Sequence, residues 1–277
     1  MYFPRFWTTA KTGSVVTWGW SDTSTEDALA KARERQKRVF AWLDGGRGTL
    51  MDGYGYPDRP MREEVLREFR SDEGRLTAAI SRNAYGCLVL NTADLLFVDV
   101  DTPEEGFGDA VRNLFRRGSV NHQATLEQRL TETASQWVAK HPDWNWRMYR
   151  TKAGVRLMAS HRPVPSDNPI VIEAFDVFGA DPLYRALCKS QRCFRARLTP
   201  KPWRCGTGKP PARWPWKDPM AARQFRDWDL LYTKRAADYA TCKLIGEFGR
   251  SAVPAELNQL VQAHDEATRS HCDLPLA

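Results

Sequence analysis

Apolar positions recur along this chain on two periods. Between Ser21 and Leu43, Ala28, Ala32, Val39 and Leu43 fall at helical spacing, behind Ser and Thr capping candidates and the acidic Glu26 and Asp27, which predicts a helix. The Gly-, Tyr- and Asp-rich stretch 44–60 reads as a long loop or irregular hairpin, and REEVLREFR (62–70) as a short helix. The period then shortens. Gly86–Asn91 and Leu95–Asp101 are apolar, β-branched runs separated by Thr92, Ala93 and Asp94, the pattern of an antiparallel hairpin in a buried sheet. From Pro103 to His141 the chain reads as helix or loop, with LEQRLTETASQWVAKH (126–141) a clear amphipathic helix. A second hairpin is predicted for Trp146–Thr151 and Val155–Ser160, turning at Lys152, Ala153 and Gly154.

Further on, Ile170–Phe178 and Asp181–Lys189 read as helices, the latter with Pro182 in its first turn, and Cys193–Leu198 as a strand. From Asp218 onward the pattern is helical, broken at Gly249 and Pro254. The expected class is therefore α+β. Three segments follow from composition: an N-terminal helical and loop region (1–79), an α/β core (80–205), and a basic Pro-rich linker with C-terminal helices (206–277).

With 277 residues, 42% of them apolar and spread evenly, the chain can bury one large core or two small ones. No apolar run is long enough to span a bilayer, and the N-terminus lacks the charged-then-apolar order of a secretory signal, so the expectation is a cytoplasmic protein without a membrane partner. The six cysteines contain no Cys-x-x-Cys pair, as expected of reduced thiols, and Cys188, Cys193 and Cys205 match no familiar zinc spacing. The formal charge of +7 matters less as a global field than for where it concentrates.

It concentrates between Arg192 and Lys217. There Arg192, Arg195, Arg197, Lys201, Arg204, Lys209, Arg213 and Lys217 occur without one acidic residue, interleaved with Phe194, Trp203, Trp214 and Trp216. Cations that neutralise phosphates and rings on which unstacked bases lie make this a candidate nucleic-acid surface, with Arg195, Arg197, Lys201, Trp203 and Arg204 as its contact residues. The competing account is a Pro-stiffened basic loop without a ligand.

In FVDVDTPEE, Asp99 and Asp101 stand two apart on one strand, so both carboxylates leave the same face at its end. Paired hard oxygen ligands suit Mg2+ or Mn2+ bridging nucleotide phosphates. An N-cap and a loop salt bridge are the structural alternative. Around the Gly154 turn, Arg150, Lys152 and Arg156 could grip a triphosphate, and His161 could serve as a phosphate donor or base, although a surface role suits it too. Arg195 and Arg197 share one strand face and could pair with phosphate or with carboxylates. His264-Asp265-Glu266 is read as a solvated helix face, because adjacent helical residues do not share a side.

Together, a strand ending Asp99-x-Asp101, a basic-x-Gly-x-basic hairpin and a strand with Arg195-x-Arg197-Leu-x-Pro-Lys201 resemble the archaeo-eukaryotic primase superfamily, which includes primase-polymerases, over roughly residues 80–205. The resemblance implies an RRM-like antiparallel sheet core with packed helices, an acidic metal motif at Asp99 and Asp101, and a third acidic residue at Asp181 or Asp176, with Asp181 favoured by spacing. The family's nucleotide-binding histidine motif falls on Arg156 or on His161. What it implies is a metal-dependent nucleotidyltransferase extending or priming a strand, with Mg2+ or Mn2+ as cofactor and nucleotides and single-stranded or template-primer nucleic acid as partners. Three other readings use the same residues: a non-catalytic single-strand binder, a metal-dependent nuclease, and docking of a protein partner on the Arg and Trp segment.

Overall fold

The computed structural model describes residues 1–45, 60–102 and 122–277. The loop read over 46–59 and the stretch 103–121 lie outside the described residues. Among the described residues the protein is mixed α+β, with six α-helices and three antiparallel sheets.

An N-terminal hairpin, β1 (Phe6–Thr12) and β2 (Val15–Ser21), carries helix α1 (Thr25–Leu43) on one face. The contact is close because Gly19 has no side chain: a Cβ there would lie 1.9 Å from the Ala28 carbonyl oxygen. Ser24 caps α1, accepting from the Asp27 amide, so the expected helix start holds. The hairpin itself has no counterpart in the sequence reading. Its signal was the alternation of Thr17 and Gly19 with Trp18 and Trp20.

The second sheet has the order β3 (Glu64–Arg70), β4 (Leu76–Arg82), β5 (Leu88–Thr92) and β9 (Phe194–Arg197). The third runs β10 (Cys242–Phe248), β7 (Trp146–Thr151), β8 (Gly154–Ala159) and β6 (Leu96–Asp101). Helices α2 (His122–Lys140), α3 (Pro169–Phe178), α4 (Pro182–Gln191), α5 (Pro219–Ala236) and α6 (Ala255–Thr268) complete the described elements. One core joins both four-stranded sheets: Phe69, Ala78 and Leu90 belong to the same buried cluster as Phe97, Val98, Trp146, Leu157 and Leu260. β4 runs through residue 80 and β10 joins β7, so strand hydrogen bonds tie the segments 1–79 and 206–277 to 80–205.

Three expectations are corrected. Residues 64–70 form a strand and not a helix, because β4 supplies hydrogen-bond partners along their length; as an edge strand with one buried side chain they carry little alternation. Residues 242–248 are likewise a strand, paired with β7 through a shift of register at Gly246. And β5 does not pair with β6. Between them the Ala93 amide donates to the Thr77 carbonyl and the Val164 amide to that of Asp94, which leads the chain from one sheet into the other. The β7–β8 hairpin and helices α3 and α4 stand as expected, with α4 capped by Asp181 and carrying Pro182 in its first turn.

Candidate functional site

β6 delivers its acids at the point where the two large sheets meet. Its antiparallel register sets Asp99 opposite Arg156 and Asp101 opposite Gly154 on β8. Strand alternation turns both acids from the core, and exposure grows toward the strand end. The third acid arrives through α4: the Asp181 amide donates to the Asp99 carbonyl at 2.9 Å, and one Asp181 carboxylate oxygen caps the helix by accepting from the Tyr184 amide at 2.7 Å. Asp176, the alternative, instead pairs with Arg185 on the surface at 2.7 Å. Partial burial and the nearby Asp99 and Asp181 push the Asp101 carboxyl above its ordinary value, opposed by Lys201 and Arg197.

Asp99 is already engaged. Arg156, buried, donates Nε to Oδ1 at 2.8 Å and Nη2 to Oδ2 at 3.2 Å. Its remaining Nη1 donates to the Arg197 carbonyl at 3.0 Å and lies 3.4 Å from His264 Nε2. His264 is completely buried, which holds its pKa below the usual histidine value. Its Nδ1 lies 2.9 Å from Asp265 Oδ1, which also accepts from Tyr149 Oη at 2.8 Å. Arg147 donates to the other Asp265 oxygen at 2.8 Å. Burial alone would raise Asp265, but these bonds bring it down to about 2. His264 and Asp265 therefore belong to an interior polar chain ending on Asp99, contrary to the solvated-face reading. The signal was the helical spacing of Leu257, Leu260 or Val261, His264 and Thr268, all buried.

The cations divide sharply. Arg195 is a structural residue, donating to Glu63 at 2.6 Å and to Gln191 at 2.8 Å. Arg150 is held by both oxygens of Glu127 at 2.6 Å. Lys152 is exposed in the turn beside Gly154. His161 lies beyond Ala159, which pairs with Leu96 at the opposite end of β6 from Asp101, and its ring packs 4.2 Å from that of Trp144. Five residues of strand separate the two ends, about 17 Å. Burial, followed by Arg162, pushes the His161 pKa down to about 4. The phosphate grip expected from Arg150, Lys152, Arg156 and His161 is thus not assembled in one place.

Arg197, Lys201 and Arg204 are different. Among the described residues no carboxylate lies within ion-pair distance of any of them, and Arg197 Nε is buried without a hydrogen-bond partner. Burial and then mutual repulsion lower the pKa values of Arg197 and Lys201: Arg156 acts on Arg197, and Arg197 and Arg204 act on Lys201. Of the aromatic residues in the basic segment, Phe194 is core, Trp216 packs on Phe225 at 4.5 Å and Trp214 on Trp7 at 6.4 Å. Trp203 alone of the three tryptophans is exposed, at 47%. The sequence reading missed its neighbour Tyr85, 5.5 Å away from the turn between β4 and β5 and 45% exposed.

The donor set suits a hard cation in part. Asp101 and the Asp181 oxygen not used in capping are open, whereas both Asp99 oxygens are taken, and among the described residues no three His, Cys, Asp or Glu side chains are grouped to close on a metal. Two carboxylates suffice for Mg2+ when substrate phosphates and water complete its octahedron. The chain matches no protein-family model, and neither the curated proteins nor the solved structures contain a significant match to it.

Proposed function

We propose that the protein is a metal-dependent nucleotidyltransferase acting on nucleic acid, of the primase-polymerase kind, built on an RRM-like sheet. The observation that carries this reading is the meeting of Asp99, Asp101 and Asp181 with Arg197, Lys201 and Arg204, cations that make no ion pair among the described residues. Anions and hard cations are what such an arrangement attracts, and a nucleoside triphosphate with Mg2+ or Mn2+ supplies both.

In this reading Asp101 and Asp181 hold the cation, and Arg156 fixes Asp99 beside them. When bound, the cation supplies neutralisation of triphosphate charge and activation of a hydroxyl. Arg197, which interacts with Asp99, receives triphosphate oxygens, and Lys201 and Arg204 face the nucleic-acid strand. The strand's 3′-oxygen bonds to the α-phosphorus, the bond from that phosphorus to the bridging oxygen breaks, and pyrophosphate leaves. The hydroxyl proton passes to water at the exposed end of β6.

A specific observation favours a second reading, a non-catalytic single-strand binder: the bidentate pairing of Asp99 with Arg156 engages both carboxylate oxygens and offsets the charge a metal would need. Mn2+ binding followed by electron paramagnetic resonance, with and without nucleoside triphosphate, separates the two. The transferase reading expects triphosphate to tighten Mn2+ binding, and Asp101→Asn with Asp181→Asn to abolish that gain. Mn2+ binding that ignores both triphosphate and the substitutions supports the binder. Tight Mn2+ binding indifferent to triphosphate but lost in the variant indicates a nuclease-like site.

A further inference from the structure

Tyr85 and Trp203 are large aromatic side chains left open to solvent, and the chain spends local order on presenting them. Asn83 Oδ1 accepts from the Tyr85 amide at 2.9 Å and from the Cys87 amide at 3.1 Å, closing the β4–β5 turn. Gly86 follows at φ +81°, with Trp228 where a Cβ would stand, 2.3 Å away. Trp203 sits in a 3-10 turn, Pro202–Arg204, in which the Arg204 amide donates to the Lys201 carbonyl at 2.8 Å. The two turns are fastened to each other: the Leu88 amide donates to Thr199 Oγ1 at 2.9 Å, and Cys87 Sγ donates to the Pro200 carbonyl at 3.4 Å. The rings meet at 82°, edge to face, and so form a rigid open corner. Lys201 Nζ lies 5.6 Å from the Trp203 ring centre, and the same segment carries Arg197 and Arg204 toward the acid cluster.

We infer that this corner is a base-stacking platform for a single strand of nucleic acid. One unpaired base lies on one ring, flanked by the other, while its flanking phosphates reach Lys201 and Arg204. Bases in a duplex have both faces covered, so the corner selects unstacked ones. The two cations supply the charge complementarity that an apolar protein partner would not need. The inference deepens the proposed function by naming where the strand is held, yet it requires no catalysis.

The test is binding of a fluorescein-labelled oligothymidylate to the full chain in EDTA, without nucleotide, followed by anisotropy over a salt series. Tyr85→Ala and Trp203→Ala are each expected to weaken binding on the order of tenfold with an unchanged salt slope, whereas Trp203→Phe retains most of it. Lys201→Ala and Arg204→Ala are each expected to lower the slope by about 0.7. Both rings are surface residues, so the variants should keep the wild-type melting temperature. Absence of single-strand binding at low salt overturns the inference, as does binding that the aromatic substitutions leave unchanged, or equal binding of a duplex of the same length. Loss of metal and triphosphate binding with the single-strand results intact would sink the transferase reading and leave the platform standing.

Discussion

At the scale of the residue, burial decides which polar groups act and which are structural. His161 shows it. Its imidazole is buried against Trp144, and its pKa falls from the ordinary 6.5 to about 4. The unfolded chain therefore takes up this proton at a higher pH than the folded one, so the stability the neutral ring contributes is full above pH 6.5 and drains away as pH falls toward 4. The gap corresponds to up to about 3 kcal/mol. Replacing His161 with Phe keeps a ring on Trp144 and removes the titration. Urea unfolding at pH 7 and pH 4.5 should show the wild type losing more stability than His161→Phe; equal losses would place the cause elsewhere. In the sequence, this histidine before Arg and Pro could equally have been a surface or ligand residue. Only its packing decides, and packing depends on Trp144, seventeen positions away. The same limit hid Arg156, whose pairing with Asp99 comes from strand register.

At the scale of the element, what was legible was local. The β7–β8 hairpin carries its own turn, and α3 and α4 carry their own caps, so sequence patterns identify them. β10 is a strand because of β7, a partner distant in the chain, whereas β3 pairs with β4, the next strand, and was hidden because an edge strand with one buried side chain alternates weakly. The Asp99–Asp101 alternation was readable for the same reason that the hairpin was, since it needs only the strand's period of two. The end of β6 depends on one glycine. A Cβ at Gly154 would stand 2.1 Å from the Val100 carbonyl oxygen and 2.8 Å from the Asp101 Cα, both backbone, so β6 would have to move. Gly154→Ala should destabilise the fold by about 1–3 kcal/mol and, by shifting Asp101, weaken triphosphate-dependent Mn2+ binding at least tenfold. A variant with wild-type stability and Mn2+ binding would contradict the close approach.

At the scale of the whole molecule, the site depends on the chain from both directions. Glu63 anchors Arg195 on β9, α4 brings Asp181, and α6 carries the His264 and Asp265 chain that backs Arg156. Removing residues 242–277 takes β10 from the β7 edge and Leu257, Leu260 and Val261 from the core. Such a truncation should lose cooperative thermal unfolding altogether. A sharp transition near the wild-type melting temperature would mean that residues 1–241 are self-sufficient. Formal charge, by contrast, carries little of the argument: +7 over 277 residues is modest, and the weight rests on three cations that make no ion pair among the described residues and lie beside the acids of β6.

The central claim is tested most directly by incorporation of a labelled nucleotide on primed and unprimed single-stranded templates with Mg2+ or Mn2+. Wild type should be compared with Asp99→Ala plus Asp101→Ala. The account predicts template-dependent incorporation by the wild type, reduced at least a hundredfold in the double variant while single-strand affinity is retained. No incorporation by a folded wild type that binds single strands, or incorporation that persists in the double variant, would contradict it.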